Sequence, residues 1–176
     1  MRLLVLLQNA YDRGELANGY SPGRWYKELS KSRTGRRLYL AIPDLRDLGF
    51  YHAKNVRFAN ACPGIGDGPD SQLAPCLRHT RRAISRVKPD AVMACGKVAE
   101  EVAMEVWDGP LFVIPHPAFR LLSDDLLTKC RNTIAWWQYH RESREVAVPS
   151  EFWHAELSCP RIAFRQGVGK VDIELI

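Results

Sequence analysis

Alternating strand-like and helix-like stretches predict a three-layer α/β/α sandwich with a mainly parallel, four-stranded central sheet. Three observations carry this expectation. The first apolar run, LLVLL within residues 2–7, shows no polar alternation, as expected of a strand buried on both faces. Three further strand-like runs follow, with segments of helical period among them. Hydrophobic residues make up 46% of the 176, which suits a folded core and excludes a disordered chain.

The elements follow in order. A loop rich in Gly, Asn and Pro runs from Asn9 to Gly23. Trp25 to Ser30 and Gly35 to Leu48 read as short helices, the second broken or restarted by Pro43. Asn55 to Ala61 (NVRFANA) is the second strand, and CPGIGDGPD after it is a loop. Asp70 or Ser71 can cap a helix with Leu73, Leu77, Thr80, Ile84 and Val87 on one side. Asp90 to Cys95 is the third strand, Gly96 a turn and Lys97 to Trp107 a helix. Leu111 to Ile114 is the fourth strand. Ser123 can cap a last helix whose stripe is Leu126, Leu127, Cys130, Ile134 and Trp137. Residues 145–176 break the pattern. They are expected to cross the surface or to add an edge strand near Val171 to Ile176. With no internal repeat and no linker, residues 1–176 read as a single domain.

Composition narrows the function classes. No apolar run is long enough to span a membrane, and MRLLVLLQNAYDRG lacks the cleavage pattern of a signal peptide. Five cysteines with no CxxC pair argue for reduced thiols and a cytoplasmic setting. A net charge of +5 admits an anionic partner such as nucleic acid. No GxGxxG or GxxxxGK[ST] follows the first strand, which argues against a nucleotide-binding flavodoxin-like domain.

Parallel sheets gather ligands at the carboxyl ends of their strands. Gln8-Asn9-Ala10-Tyr11 follows the first strand, Asn60 ends the second, Gly96-Lys97 follows the third and His116 the fourth. Taken singly, each could be an ordinary strand-end cap. As a set, surrounded by long glycine-rich loops, they read as a site. An asparagine amide offers donors and acceptors that suit the edge of a nucleobase. A histidine fixed between Pro115 and Pro117 suits donation to a developing oxyanion.

These motifs carry a family resemblance. QNAY resembles the QDPY motif, and its asparagine-bearing variants, of the uracil-DNA glycosylase superfamily. PHPAFRLLS resembles that superfamily's second motif, HPSPLS or HPSALL. Between them SRTGRRL, FANACPGIGDGPDSQLAPCLRH and VKPDAVMACGKVAEE resemble, in order, segments of its thermophile-type iron–sulfur branch.

The resemblance implies a monofunctional DNA N-glycosylase that acts on a flipped-out base and leaves an abasic site. It implies catalytic roles for Asn9 and His116, base contacts from Gln8, Tyr11 and Asn60, and a wedge at Arg120 or Leu121. Gln8 and Asn9 fall in the water-positioning motif, Asn60 where the base edge is read, and His116 where the anionic base is stabilised. Tyr11 falls where a tyrosine excludes 5-substituted bases. Ser32, Gly35 and Lys97 are candidates for backbone phosphates, although Ser32 and Gly35 also read as a helix cap. Arg33, Arg36 and Arg37 lie nearer this site than Arg78, Arg81, Arg82 and Arg86, which read as a solvated face. The expected partner is DNA at the nucleoid, with no membrane and with the protein as a monomer. The substrate is either uracil or another deaminated base, in repair, or a modified pyrimidine of phage DNA, in defence. The alternative is a non-catalytic DNA- or base-binding module on the same fold.

The chain departs from the family pattern at several places. Asn9 stands for an acid, and an amide can orient a water but cannot act as a general base. Asp12 is a nearby carboxylate that reads equally as a solvated loop charge. Ala10 stands for a proline, and Ser30 for the phenylalanine that stacks on the base. Tyr11, Tyr20 and Trp25 are the alternatives for stacking. Cys62 and Cys76 match two cluster ligands, but the earlier CxxC pair is missing, so no cluster, metal or other cofactor is expected.

Overall fold

The chain opens on β1 (Leu3–Leu7), and all five residues are buried. Five successive apolar side chains stay dry only in a central strand covered on both faces. The computed structural model describes residues 1–8, 10–11, 27, 29–49, 52–63, 65–66, 73–119, 122–140 and 163–165, and it places β1 in such a position. β3 (Val56–Asn60), β5 (Ala91–Cys95) and β6 (Leu111–Ile114) join it in parallel, in the order β3-β1-β5-β6. β7 (Ala163–Arg165) adds an antiparallel edge beside β6.

Strand alternation divides the interior into two cores. Leu3, Val5, Met93, Phe112 and Ile114 face one, and Leu4, Leu6, Val92, Ala94 and Val113 face the other. Helices α1 (Arg33–Ala41), α2 (Pro43–Leu48) and α5 (Asp124–His140) cover the first through Leu38, Leu45, Leu127 and Ile134. On that side Trp137 meets Phe112 edge-to-face, with ring centroids 5.9 Å apart. Helices α3 (Leu77–Val87) and α4 (Lys97–Val106) cover the second through Ile84, Ala99 and Val102. The result is the expected three-layer α/β/α sandwich.

Chain direction explains which face each helix takes. From β1 the chain steps outward to β3 through α1 and α2. It then returns past β1 to β5 through α3, and on to β6 through α4. Right-handed crossovers that run in opposite directions place their helices on opposite faces. The reversal opens a crevice at the carboxyl ends of β1 and β5, where open α/β sheets bind ligands.

Several local expectations are corrected. Helix α3 starts at Leu77, with Cys76 as its N-cap, and not at residues 70–71. Pro75 disfavours helical geometry at Ala74, so Leu73 keeps the helical spacing without belonging to the helix. Asp70 and Ser71 lie outside the described residues. The stretch read wholly as a loop contains β4 (Ile65–Gly66), which pairs in parallel with β2 (Ala10–Tyr11). The edge strand falls at residues 163–165, and residues 171–176 lie outside the described residues. Pro43 does restart a helix, as the N-terminal residue of α2.

Candidate functional site

The carboxyl ends of the parallel strands are tied into one rim. Leu7 pairs with Asn60, and Cys95 with Ile114. Beyond the strands the Ala61 N–H donates to the Leu7 carbonyl at 2.7 Å, and the Cys62 N–H to the Gln8 carbonyl at 2.8 Å. The Cys76 N–H donates to the Ala61 carbonyl at 2.9 Å, which brings the start of α3 to the same rim. Gln8 is thus held by its backbone, half-buried, at the mouth of the crevice.

Asn60 closes β3 and is 8% exposed. Its Oδ1 is buried and, among the described residues, has no hydrogen-bond partner. An unsatisfied buried acceptor costs about 1–3 kcal/mol, so such a group calls for a donor from a ligand or a water. Alternation along β3 puts Asn60 on the face of Val56, the side of the first core.

His116 is built by a turn. The Phe119 N–H donates to the His116 carbonyl at 2.8 Å, which closes a β-turn with Pro117 at its second position. The Ala118 N–H donates to Nδ1 of His116 at 3.2 Å. That bond makes Nδ1 the acceptor, so in the neutral ring the proton sits on Nε2 as a donor. Burial lowers the His116 pKa and favours this neutral form.

Two residues hold the histidine from behind. Gly96 has φ of +91°, and a Cβ on it would lie 3.1 Å from the His116 Cβ. Its N–H donates to the Ile114 carbonyl at 2.8 Å. A side chain at position 96 would therefore be strained and would push on the imidazole. Arg37, from α1, reaches the loop beyond His116. Its guanidinium donates to the Pro117 carbonyl at 2.9 Å, the Leu122 carbonyl at 2.8 Å, and the Phe119 carbonyl. Burial, followed by repulsion from Arg33, lowers its pKa, and Asp124 partly offsets both. Among the three arginines expected near phosphate, this one is spent inside the protein. The sequence gives one weak signal for Gly96, a glycine between a strand and a helix, and none for the target of Arg37.

The remaining expected residues divide clearly. Lys97 opens α4 next to Gly96. Its side chain is 87% exposed, with Glu101 at 3.9 Å. Ser32 is the N-cap of α1: its hydroxyl donates to the Leu29 carbonyl at 2.7 Å and accepts from the Gly35 N–H at 3.0 Å. A Cβ on Gly35 would fall 1.8 Å from the Leu29 carbonyl oxygen. Both residues are used within this turn, as the helix-cap reading of them expects. Asn9, Asp12, Tyr20, Trp25, Arg120 and Leu121 lie outside the described residues, as does the side chain of Tyr11.

The thiols near the rim are Cys62 and Cys76. Cys62 is buried, its thiol donates to the Leu73 carbonyl at 3.0 Å, and burial pushes its pKa up. Among the described residues no three His, Cys, Asp or Glu side chains gather as ligands would. Comparison with protein-family models, curated proteins and solved structures gives no match to this chain.

Proposed function

We propose that this protein is a monofunctional DNA glycosylase, related to the uracil-DNA glycosylase superfamily, that acts on a uracil-like or modified pyrimidine. The observation that carries the reading is the pair at opposite ends of the rim. Asn60 offers a buried acceptor with no partner among the described residues, and His116 has a fixed tautomer with its proton on Nε2. β3 and β6 are three strand spacings apart, or roughly 14 Å. That span leaves room for one flat heterocycle between two side chains.

The proposed chemistry follows from these groups. A pyrimidine rotated out of the duplex sits between Asn60 and His116. The Asn60 Oδ1 accepts from a ring or exocyclic N–H of the base. As the glycosidic bond breaks, negative charge builds on the base, and the His116 Nε2–H donates to its carbonyl oxygen. The imidazole needs no reorganisation because the Ala118 bond has already fixed it. Gln8 and Asn9 orient the water that adds to the sugar cation, and the proton that water sheds neutralises the departing base anion through solvent.

The test is an abasic-site assay on oligonucleotides carrying uracil, hypoxanthine or 5-hydroxymethylpyrimidines, and on glucosylated phage DNA, each cleaved with alkali. We expect strand breaks on one substrate class. His116→Ala should lower the rate about 10²–10³-fold, as for removal of one oxyanion donor. No breaks on any substrate, with DNA binding intact, would replace this reading by a non-catalytic base-binding module.

A further inference from the structure

Helix α3 carries a feature that the rim chemistry does not use. Its sequence, LRHTRRAISRV, has four arginines and no acidic residue. Leu77, Ile84 and Val87 pack on the second core, which turns Arg78, Arg82 and Arg86 outward in a single i, i+4, i+8 stripe with Arg81 beside it. All four arginines are exposed. Among the described residues none of the four has an ion-pair or hydrogen-bond partner. Arg57 on the neighbouring edge strand and Lys88 just past the helix are also exposed and basic. Like charges at i, i+4 destabilise a helix by a few tenths of a kcal/mol per pair, and nothing among the described residues offsets that.

We infer that this stripe is a docking surface for a nucleic-acid phosphate backbone. The arginines step by about 6 Å along the helix axis, a spacing close to that of successive phosphates on a strand. The helix starts at the rim, since Cys76 is bonded to Ala61 beside Asn60. A strand whose base enters the crevice can therefore continue along α3. Guanidinium forks match phosphate oxygens in pairs, which favours phosphate as the anion. None of the large exposed apolar side chains, Tyr39, Leu48, Met104, Phe119 and Tyr139, lies on α3, so this face has nothing to insert into a lipid surface. The inference rests on the proposed DNA reading for its partner but not on any cleavage step. The four arginines are exposed, as expected of a solvated face, and the inference gives that face a ligand.

The experiment measures binding of the full chain to labelled duplex and single-stranded oligonucleotides over a salt series. Wild type is compared with the triple variant Arg78→Gln, Arg82→Gln, Arg86→Gln and with a control, Arg46→Gln, Lys54→Gln. The stripe variant should bind roughly tenfold or more weakly at low salt, and its log–log salt slope should shrink by about 0.9 for each phosphate it no longer neutralises. The control should keep more of both. The thermal midpoint of the stripe variant should hold or rise, because repulsion is relieved. Wild-type binding with an unchanged slope in the stripe variant would overturn the inference and leave the glycosylase reading standing. Absence of DNA binding by wild type, with arginine-dependent binding to phosphatidylserine vesicles instead, would overturn both.

Discussion

The His116 ring is governed by what a second proton would meet. An imidazole ordinarily titrates near 6.5, and burial holds His116 below that. Protonating Nδ1 would set its new N–H against the Ala118 N–H, donor facing donor. The unfolded chain takes up this proton near 6.5 and the folded chain only at lower pH. Between those values the unfolded state binds more protons, so stability falls as the pH drops below 6.5 and levels off beneath the folded pKa. Urea midpoints should therefore decline as the pH falls below about 6.5, and His116→Gln should flatten the decline. The acid limb of turnover should have its midpoint below 6.5; a midpoint at 6.5 would mean the ring is solvated. Gly96 gives a second residue-scale expectation. Gly96→Ala places a side chain at φ +91° and a carbon 3.1 Å from the His116 Cβ. It should cost about 1–3 kcal/mol by denaturant titration and also lower turnover. Reduced stability with turnover unchanged would separate backbone strain from pressure on the ring. Asn60 and His116 were legible because strand ends can be read from apolar runs and prolines. The unpartnered Oδ1 and the fixed tautomer were not, because they depend on atoms from elsewhere in the fold.

At the scale of elements, Arg37 ties helix α1 to the segment between β6 and α5. It is 80 to 85 residues from the carbonyls it holds, so no local pattern announces the contact. Hydrogen bonds from a charged donor contribute about 1.5–3 kcal/mol each in favourable settings, less where solvent reaches them. Arg37→Ala should lower stability by about 2–3 kcal/mol in urea titrations and speed amide exchange at Ala118 and Phe119. Arg37→Lys should recover little, because one ammonium cannot span three carbonyls as a fork does. Equal protection of these amides in wild type and Arg37→Ala would show that the turn stands without the clamp. Element boundaries show where sequence pattern gives way to covalent geometry. The α5 stripe was legible, and Ser123 caps it through the Leu126 N–H at 3.2 Å. The start of α3 was misread because Leu73 keeps the period while Pro75 breaks the backbone. The β2–β4 pair was missed because two-residue strands carry no periodicity.

For the molecule as a whole, the layered architecture was legible because β1, β5 and β6 are apolar without interruption, a pattern that demands cover on both faces. The position of the antiparallel edge was not, since residues 163–165 were no more strand-like than the Val171 to Ile176 stretch favoured for it. The two cores make a prediction about cooperativity. Cys95 on β5 and Cys130 on α5 both lie in the first core, at 0% and 1% exposure. Burial pushes the Cys130 thiol up to about 12, while burial and Cys130 together raise Cys95 well above its ordinary value. The thiolate is the reactive form, so neither sulfur reacts at neutral pH while that core stays closed. A maleimide pulse read by mass spectrometry should label Cys130 and Cys95 at one shared rate, and the opening free energy derived from it should equal that from urea unfolding. A single cooperative unit, with sheet and α5 opening together, gives that equality. Faster labelling at Cys130 than at Cys95 would mean that α5 leaves the sheet before the strands part. The loop carrying His116 would then hang from a helix that detaches on its own, and the site would depend on Arg37 and α1 for its shape.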